Sequence, residues 1–392
     1  MGKLIVHPEK ITDRDALIRL CPFNAIVPNA DSVEITVACK MCRICLKKGP
    51  AGAIEYVEES SPALDKSAWQ GIAVYAELSG GGLHPVSLEL IGKAASLAQK
   101  TGQKMYALLV GHQAARAGGE LLHYGVDEVH AYEQPELNLF HIESYAAVFC
   151  DFVERVRPSS ILVGATVLGR QLAPRVAARL RTGLTADCTE LQMAENTDLI
   201  QIRPAFGGNI MAQILTPRHR PQLATVRYKV METPLRRPER SGKLLKFTLP
   251  PEALRSRMEI LELSPKPREH TIDGADVLVA AGRGIKKESD LSMLRELADL
   301  LGGQLACTRP LAESGWVEAR RQVGLSGRTV RPKLIITCGV SGAIQFVAGM
   351  SNADTIIAIN KDEKAPIFRV ANVGLIGDLY DIVPRLIAKL KG

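Results

Sequence analysis

Residues 276–284 read DVLVAAGRG and residues 333–342 read KLIITCGVSG. Both are short apolar runs stopped by glycine, the pattern of strands buried on both faces of a parallel sheet. TIIAIN (355–360) repeats it, a helical periodicity covers roughly 289–301, and Leu379, Ile382, Leu386 and Leu390 keep helical spacing after Asp378. Pro384 must bend or restart that last helix. Strand and helix thus alternate from residue 276 to residue 392, which defines an α/β unit. Its glycine turns, AGRG (281–284), QVGLSG (322–327) and CGVSGAIQF (338–346), follow strands and stand beside Arg, Ser or Gln. Glycine lets backbone N–H groups approach a ligand closely, and helix N-termini add positive potential. The turns therefore predict a nucleotide or dinucleotide site at the carboxyl ends of the strands. None is a GxGxxG, and the pattern alone does not identify the ligand.

Working outward, the same alternation fills the middle of the chain: GIAVYAEL (71–78), the helical HPVSLELIGKAASLAQKTG (84–102), KMYALLVG (104–111) and SSILVGATVLGRQLAPRVAARL (159–180). This section ends near Met231. TPLRRPERSGK (233–243), with Arg236, Arg237 and Arg240 as solvated charges, and the weakly periodic 251–273 read as a connector. Before residue 66 the chain shows short strands and turns, closed by the linker-like EESSPALDKS (58–67). The expected organisation is 1–66, 67–262 and 263–392: a small α+β domain, then two α/β domains with mainly parallel sheets, the last Rossmann-like. Two or three domains also fit 392 residues at roughly 150 per domain.

Composition narrows the function. Hydrophobic residues make up 46% and charged residues 23%, so disordered and fibrous classes are excluded. The formal charge of +7, from 49 Lys+Arg against 42 Asp+Glu, arrives in no basic block, which argues against nucleic acid as a partner. Charges run through the first twenty residues and apolar runs elsewhere are strand-sized, so neither a secretory signal nor a transmembrane segment is expected. The expected location is cytoplasmic and reducing, where clustered cysteines are metal ligands or redox groups rather than disulfides.

Of eight cysteines, four fall before residue 46. Cys39, Cys42 and Cys45 have C-x2-C-x2-C spacing, which lets three thiolates converge on one [4Fe-4S] cluster, and Cys21-Pro22 supplies the remote fourth ligand. In the bacterial ferredoxin pattern a further cysteine four positions on would serve a second cluster, but Gly49-Pro50 stands there. Counting back from Cys21, the matching positions hold Ile11, Arg14 and Leu17. The section thus resembles a two-cluster ferredoxin domain with one site kept and one lost. A four-cysteine zinc site is the alternative, disfavoured because zinc motifs pair two C-x2-C units. Cys150, Cys188, Cys307 and Cys338 have no spacing partner and read as buried small residues.

AAGRG, LACTRPLAESGW (305–316), RQVGLSGRTVRPKL (321–334), CGVSGAIQFVAGM (338–350), IIAINKDEKAPIF (356–368) and GLIGDLYDIVP (374–384) closely resemble, in order, the FAD-binding domain of the electron-transfer flavoprotein alpha subunit. LVGATVLGRQLAPRVAARLRTGLTADCTEL (162–191) and RPAFGGNIMAQILTPRHRPQLATVR (203–227) look like the same family's amino-terminal, subunit-contacting domain. The cysteine section resembles the extension of alpha subunits from anaerobic electron-bifurcating complexes.

The resemblance implies an FAD site residue by residue. Arg283 matches the arginine near pyrophosphate and flavin. Thr308 and Arg309 match a Ser-Arg pair whose arginine lies against the isoalloxazine ring, where it stabilises negative charge on reduced flavin. Val323, Gly324, Leu325 and Ser326 match the loop whose hydroxyl faces flavin N5. Ser341, Gly342, Ala343, Ile344, Gln345 and Phe346 match the turn at the ribityl chain and pyrophosphate. Asn360, Asp378 and Leu379 match the adenosine end, with Asp378 suited to ribose hydroxyls. The family often has histidine where this chain has Phe346, which cannot donate a bond to the flavin C2 carbonyl, so Arg309 is expected to carry more of the electrostatic load. Trp316 and Phe346 themselves read as packing groups, and His219 as a solvated loop residue.

An electron carrier is implied, with FAD and one [4Fe-4S] cluster, paired as a heterodimer with a beta subunit. It would act in an NADH- and ferredoxin-linked bifurcating complex with an acyl-CoA or 2-hydroxy-acid dehydrogenase, and ferredoxin is a further expected partner. A non-bifurcating relay to a membrane or iron-sulfur oxidoreductase, and a redox-inactive nucleotide-binding protein, are the alternatives.

Overall fold

A computed structural model describes residues 2–30, 32–58, 64–205, 210–264 and 271–392. Half of the expected linker at 58–67 and part of the connector at 251–273 lie outside them. The chain divides into two compact units, Met1–Leu64 and Asp65–Gly392.

In the first unit Gly2–Val6 pairs antiparallel with Ile54–Glu58, and Ile26–Asn29 with Ser32–Ile35. Two short helices, Arg14–Arg19 and Ile44–Lys48, complete it. Its core is small: Leu17, Ile26, Val33 and Ile54 are buried, with Cys21 and Cys45 packed against them. Leu17 and Gly49, two of the positions where the ferredoxin pattern lacks its second set of ligands, meet here. A Cβ on Gly49 would stand 3.1 Å from Leu17 Cδ1 and 2.4 Å from the Cys45 carbonyl oxygen.

The second unit opens with a seven-stranded, all-parallel sheet. Its spatial order is Leu184–Cys188, Gln222–Val226, Ser160–Gly164, Ile72–Tyr75, Met105–Val110, Glu128–Tyr132 and Lys243–Phe247. The central strands are continuous apolar runs because both faces are covered. Helices Pro85–Thr101 and Ala114–Leu121 bury one face, and Ile142–Val156 and Val167–Leu180 the other. A three-stranded antiparallel sheet, Glu190–Met193, Leu199–Ala205 and Ile210–Ile214, adds Leu191, Met193 and Leu199 to the first of these cores.

This sheet corrects the expected end near Met231. Arg236 pairs with Glu120 at 2.7 Å, Arg237 donates its N–H to the His123 carbonyl at 2.8 Å, and Arg240 Nε lies 3.3 Å from His123 Nε2. The arginine segment is therefore tethered to the domain, while Arg236, Arg237 and Arg240 stay exposed to solvent as expected. It delivers Lys243–Phe247 as an edge strand against Glu128–Tyr132.

From Val277 a five-stranded parallel sheet follows in the order Gln304–Cys307, Val277–Ala281, Leu334–Cys338, Thr355–Asn360, Val373–Ile376. Helices Leu291–Leu300 and Leu379–Lys391 cover one face through Leu294, Leu297, Leu379, Val383 and Ile387. The last helix runs through Pro384 without restarting. Its buried stripe is Leu379, Val383 and Ile387, whereas Leu390 is 48% exposed, so packing selects a neighbouring face to the one the leucine spacing suggested. Between Val277–Ala281 and Leu334–Cys338 the strand order reverses direction, and doubly wound sheets bind their ligands at such a point.

Candidate functional site

The strand ends at that reversal are built for close approach. Gly339 has φ +65°, and a Cβ there would stand 2.7 Å from Gly284 Cα; only glycine lets the two turns touch backbone to backbone. Over them opens a cavity of about 830 Å³. Its walls include Arg283, Thr308, Arg309, Val323, Gly324, Leu325, Ser326, Ser341, Ala343, Gln345, Phe346, Asn360, Asp378 and Leu379. Of the residues expected around FAD, Gly342 and Ile344 are missing from the wall: Gly342 lies behind it against Ile367, and Ile344, 53% exposed, starts the short helix Ile344–Val347.

Each wall segment is fixed by a bond that the chain makes with itself. Thr308 N–H is held by the Ala281 carbonyl at 2.9 Å and heads the helix Arg309–Glu313. A threonine at that position usually caps with its hydroxyl. Here the hydroxyl makes no cap bond, and although Thr308 is only 9% exposed, its Oγ1 is buried without a partner among the described residues. Buried hydroxyls are rarely left so, and Thr308 is a residue of the cavity wall. The 322–328 loop is pinned by Val323 N–H on Cys307 O, Leu325 N–H on Gln345 O and Arg328 N–H on Gln322 O. Gln322 Nε2 donates to Ser326 Oγ at 2.8 Å.

Four cationic side chains, Arg283, Lys286, Arg309 and Lys361, stand against two carboxylates, Asp362 and Asp378, a balance suited to a pyrophosphate. Arg283 has no hydrogen-bond or ion-pair partner among the described residues. Arg309 Nε is engaged by Glu313 at 2.7 Å, with both side chains largely exposed. Asp378 caps the last helix through Tyr380 N–H at 2.9 Å, which leaves its second oxygen without a described partner. Asn360 is less available than expected: its amide donates to Val340 O at 2.8 Å and accepts Asp362 N–H at 3.0 Å. Phe346 is 5% exposed and belongs to the apolar cluster of Val323, Met350 and Ile367, as a packing group should.

Lys286, Lys361 and Asp362 were not singled out by the sequence reading. Lys286 is placed by its backbone N–H on the Tyr380 hydroxyl and by its ammonium 4.6 Å from that ring. Asp362 is placed by the Asx turn at Asn360. Such a turn is readable from Asn-Lys-Asp, but nothing in it says that it faces a cavity.

The cavity can accept FAD on three counts: an unpartnered buried hydroxyl, a glycine-lined cradle and a cationic rim. Cys307 and Cys338, on strands below it, are desolvated thiols pushed up to about 12. They and the likewise buried Cys188 are inert packing residues.

In the first unit Cys21, Cys39, Cys42 and Cys45 line one small, mostly apolar cavity with no carboxylate in its wall. Ala25 N–H donates to Cys21 Sγ at 3.3 Å and Met41 N–H to Cys39 Sγ at 3.4 Å. Burial raises the Cys45 thiol, and Cys39 and Cys42 add to the rise. N–H donors aimed at sulfur suit thiolate ligands. Among the described residues no group of three or more His, Cys, Asp or Glu is placed to hold a metal ion, and no helix is long and apolar enough to cross a membrane.

Comparison with known proteins places these geometries. Residues 72–252 match the electron transfer flavoprotein domain, and 271–351 match the electron transfer flavoprotein FAD-binding domain. The chain is 54% identical to "Lactate dehydrogenase (NAD(+),ferredoxin) subunit LctC" of Acetobacterium woodii, over 96% of this chain and 90% of that one. It is 44% identical to the electron transfer flavoprotein subunit alpha of Thermoanaerobacterium thermosaccharolyticum, over 82% of this chain and 98% of that one. With "Acryloyl-CoA reductase electron transfer subunit beta" of Anaerotignum propionicum it shares 39% identity, over 83% and 97% of the two chains. The chain belongs to the electron transfer flavoprotein alpha-subunit family.

Proposed function

We propose that this chain carries electrons through one FAD in the cavity over Gly284 and Gly339 and one [4Fe-4S] cluster on Cys21, Cys39, Cys42 and Cys45. The observation that carries the reading is the buried, unpartnered Thr308 hydroxyl on the wall of a cationic cavity at the strand-order reversal. Arg283 would bind the pyrophosphate, Asp378 the ribose hydroxyls, and Arg309 with Ser326 the flavin ring. FAD, when bound, supplies one- and two-electron chemistry, and the protein groups tune its potential. On this reading the organisation is a ferredoxin-like domain at 1–66, a subunit-contact domain at 67–262 and an FAD domain at 263–392.

We further infer that the chain pairs with a beta subunit and serves a 2-hydroxy-acid dehydrogenase in an NADH- and ferredoxin-linked bifurcating complex in the cytoplasm. The long match to the Acetobacterium woodii subunit, whose name joins lactate, NAD(+) and ferredoxin, supports this over an acyl-CoA dehydrogenase. That match spans 96% of the chain against 82% for the Thermoanaerobacterium subunit, so the extra length is shared with the lactate-linked relative.

The test is anaerobic purification followed by cofactor analysis. One FAD and about four iron atoms per chain are expected. Zinc without iron overturns the cluster, and colourless protein that takes up no FAD overturns the flavin. With its beta subunit and dehydrogenase, oxidation of a 2-hydroxy acid or NADH without coupled ferredoxin turnover overturns bifurcation.

A further inference from the structure

The two α/β halves of 65–392 have separate apolar cores. Among the described residues two hydrogen bonds join them, both to the segment that leaves the strand Gln222–Val226. Arg227 Nη2 donates to the Leu325 carbonyl at 3.3 Å, and Asn352 Nδ2 donates to the Lys229 carbonyl at 3.4 Å. The segment is firmly held on its own side, since Lys229 N–H sits on the buried Glu89 carboxylate at 2.9 and 3.2 Å.

Arg227 is an unusual residue to spend on a loop carbonyl. Its side chain is 13% exposed, its Nε is buried without a partner, and Asp187 stands 3.6 Å from Nη2. Asp187 is itself fixed from two sides, by Arg170 Nε and Nη2 at 3.0 Å each and through its own N–H on Thr225 Oγ1 at 2.9 Å. The guanidinium is therefore oriented before it reaches Leu325.

Leu325 is clamped at both ends, its N–H on Gln345 O at 2.8 Å and its carbonyl on Arg227. The Leu325 carbonyl and the Ser326 N–H share one planar trans peptide, so they point in opposite directions. Holding the carbonyl toward Arg227 turns the Ser326 N–H away from it. That N–H has no partner among the described residues, and both Leu325 and Ser326 line the cavity. A charged donor on the carbonyl also polarises the peptide and strengthens the N–H as a donor.

We propose that Arg227 is a positioning residue for the flavin: it fixes and polarises the Leu325–Ser326 peptide, so that the Ser326 N–H serves as a donor to the bound ring. This rests on FAD occupying the cavity. No bond to the flavin comes from Arg227 itself, and its influence passes through one peptide unit.

The test uses the full chain with its flavin and the variants Arg227→Ala, Arg227→Lys, Asp187→Asn and Asn352→Ala. Arg227→Ala is expected to weaken FAD binding roughly tenfold, the worth of one charge-assisted hydrogen bond. It also shifts the visible spectrum and midpoint potential of the bound flavin and speeds amide exchange at Ser326. Arg227→Lys and Asp187→Asn, which keep a cation near the carbonyl with poorer aim, give partial shifts in the same direction and keep the measurement usable if the alanine variant folds poorly. Asn352→Ala breaks the other bond between the halves and leaves the spectrum and potential unchanged. Wild-type spectrum, potential and affinity in Arg227→Ala overturn the proposal. Equal shifts in Arg227→Ala and Asn352→Ala also overturn it, because they show only a loosened contact. Wild-type protein that binds no FAD sinks the functional reading itself, a separate result visible before any variant is made.

Discussion

Replacing Thr308 by Val should move the protein in opposite directions with and without FAD. The two side chains have the same shape, so packing against the wall is preserved and only the hydroxyl is exchanged for a methyl. In the structure that hydroxyl makes no bond and caps no helix, and an unsatisfied buried polar group costs about 1–3 kcal/mol. Its removal should stabilise the FAD-free protein by that order, raising the melting temperature by about 4 °C or more for a domain of this size. If the hydroxyl is there to meet the cofactor, Thr308→Val forfeits one hydrogen bond of about 1 kcal/mol, a roughly fivefold weaker Kd for FAD. Differential scanning fluorimetry of stripped protein and fluorescence titration with FAD read the two effects separately. A variant that melts lower without FAD, or that binds FAD as tightly as the parent, refutes the reasoning.

Arg309→Ala breaks only an exposed pair with Glu313, worth under about 1 kcal/mol of stability, yet it should destabilise the one-electron state of the flavin, since Phe346 offers no polar bond. An unchanged one-electron yield on reductive titration counts against it. Gly342 has φ +84°, and a Cβ there would lie 2.2 Å from the Ile367 nitrogen. Gly342→Ala should therefore cost about 2–5 kcal/mol, from the left-handed backbone and the overpacking together; a parental urea curve would contradict this. Burial raises Glu89 from 4.5 to about 7 against the opposing Met231 and Lys229 N–H groups. The unfolded chain releases this proton first, so the stability it contributes is complete below pH 4.5 and is lost as pH rises toward and through about 7. Glu89→Gln should flatten that part of the stability profile, and an unaltered slope in denaturant titrations from pH 4 to 8 would dismiss Glu89 as its source.

The glycine turns were legible because their requirement is local: Gly282 and Gly339 directly follow apolar strands, Gly284 stands two residues after Gly282, and no other residue lets those backbones touch. The structure brings Cys39, Cys42, Cys45 and Cys21 to one cavity, although among the described residues no three of them are placed to hold a metal ion. Periodicity gave the last helix but not the whole of its buried stripe. Leu379, Ile382 and Leu386 of the spaced set pack on the core, while Val383 and Ile387 are buried more deeply and Leu390 is exposed. Arg236, Arg237 and Arg240 stay exposed, as solvated charges do, but their charge density gave no sign that the segment is tethered. Glu120 and the His123 carbonyl, more than a hundred residues away, hold that segment against the domain.

The sequence by itself determined the α/β class, the central strands of both parallel sheets, the family and fourteen of the residues that line the cavity. These follow from burial on both faces, from backbone geometry only glycine allows, and from motifs kept in order. Tertiary structure alone decided that Thr308 has an idle buried hydroxyl, that Asn360 is already bonded, and that Arg227 of one half grips the Leu325 carbonyl of the other. Each of those depends on what the fold places around the side chain, and hydrogen-bond satisfaction is a property of the folded neighbourhood rather than of the residue.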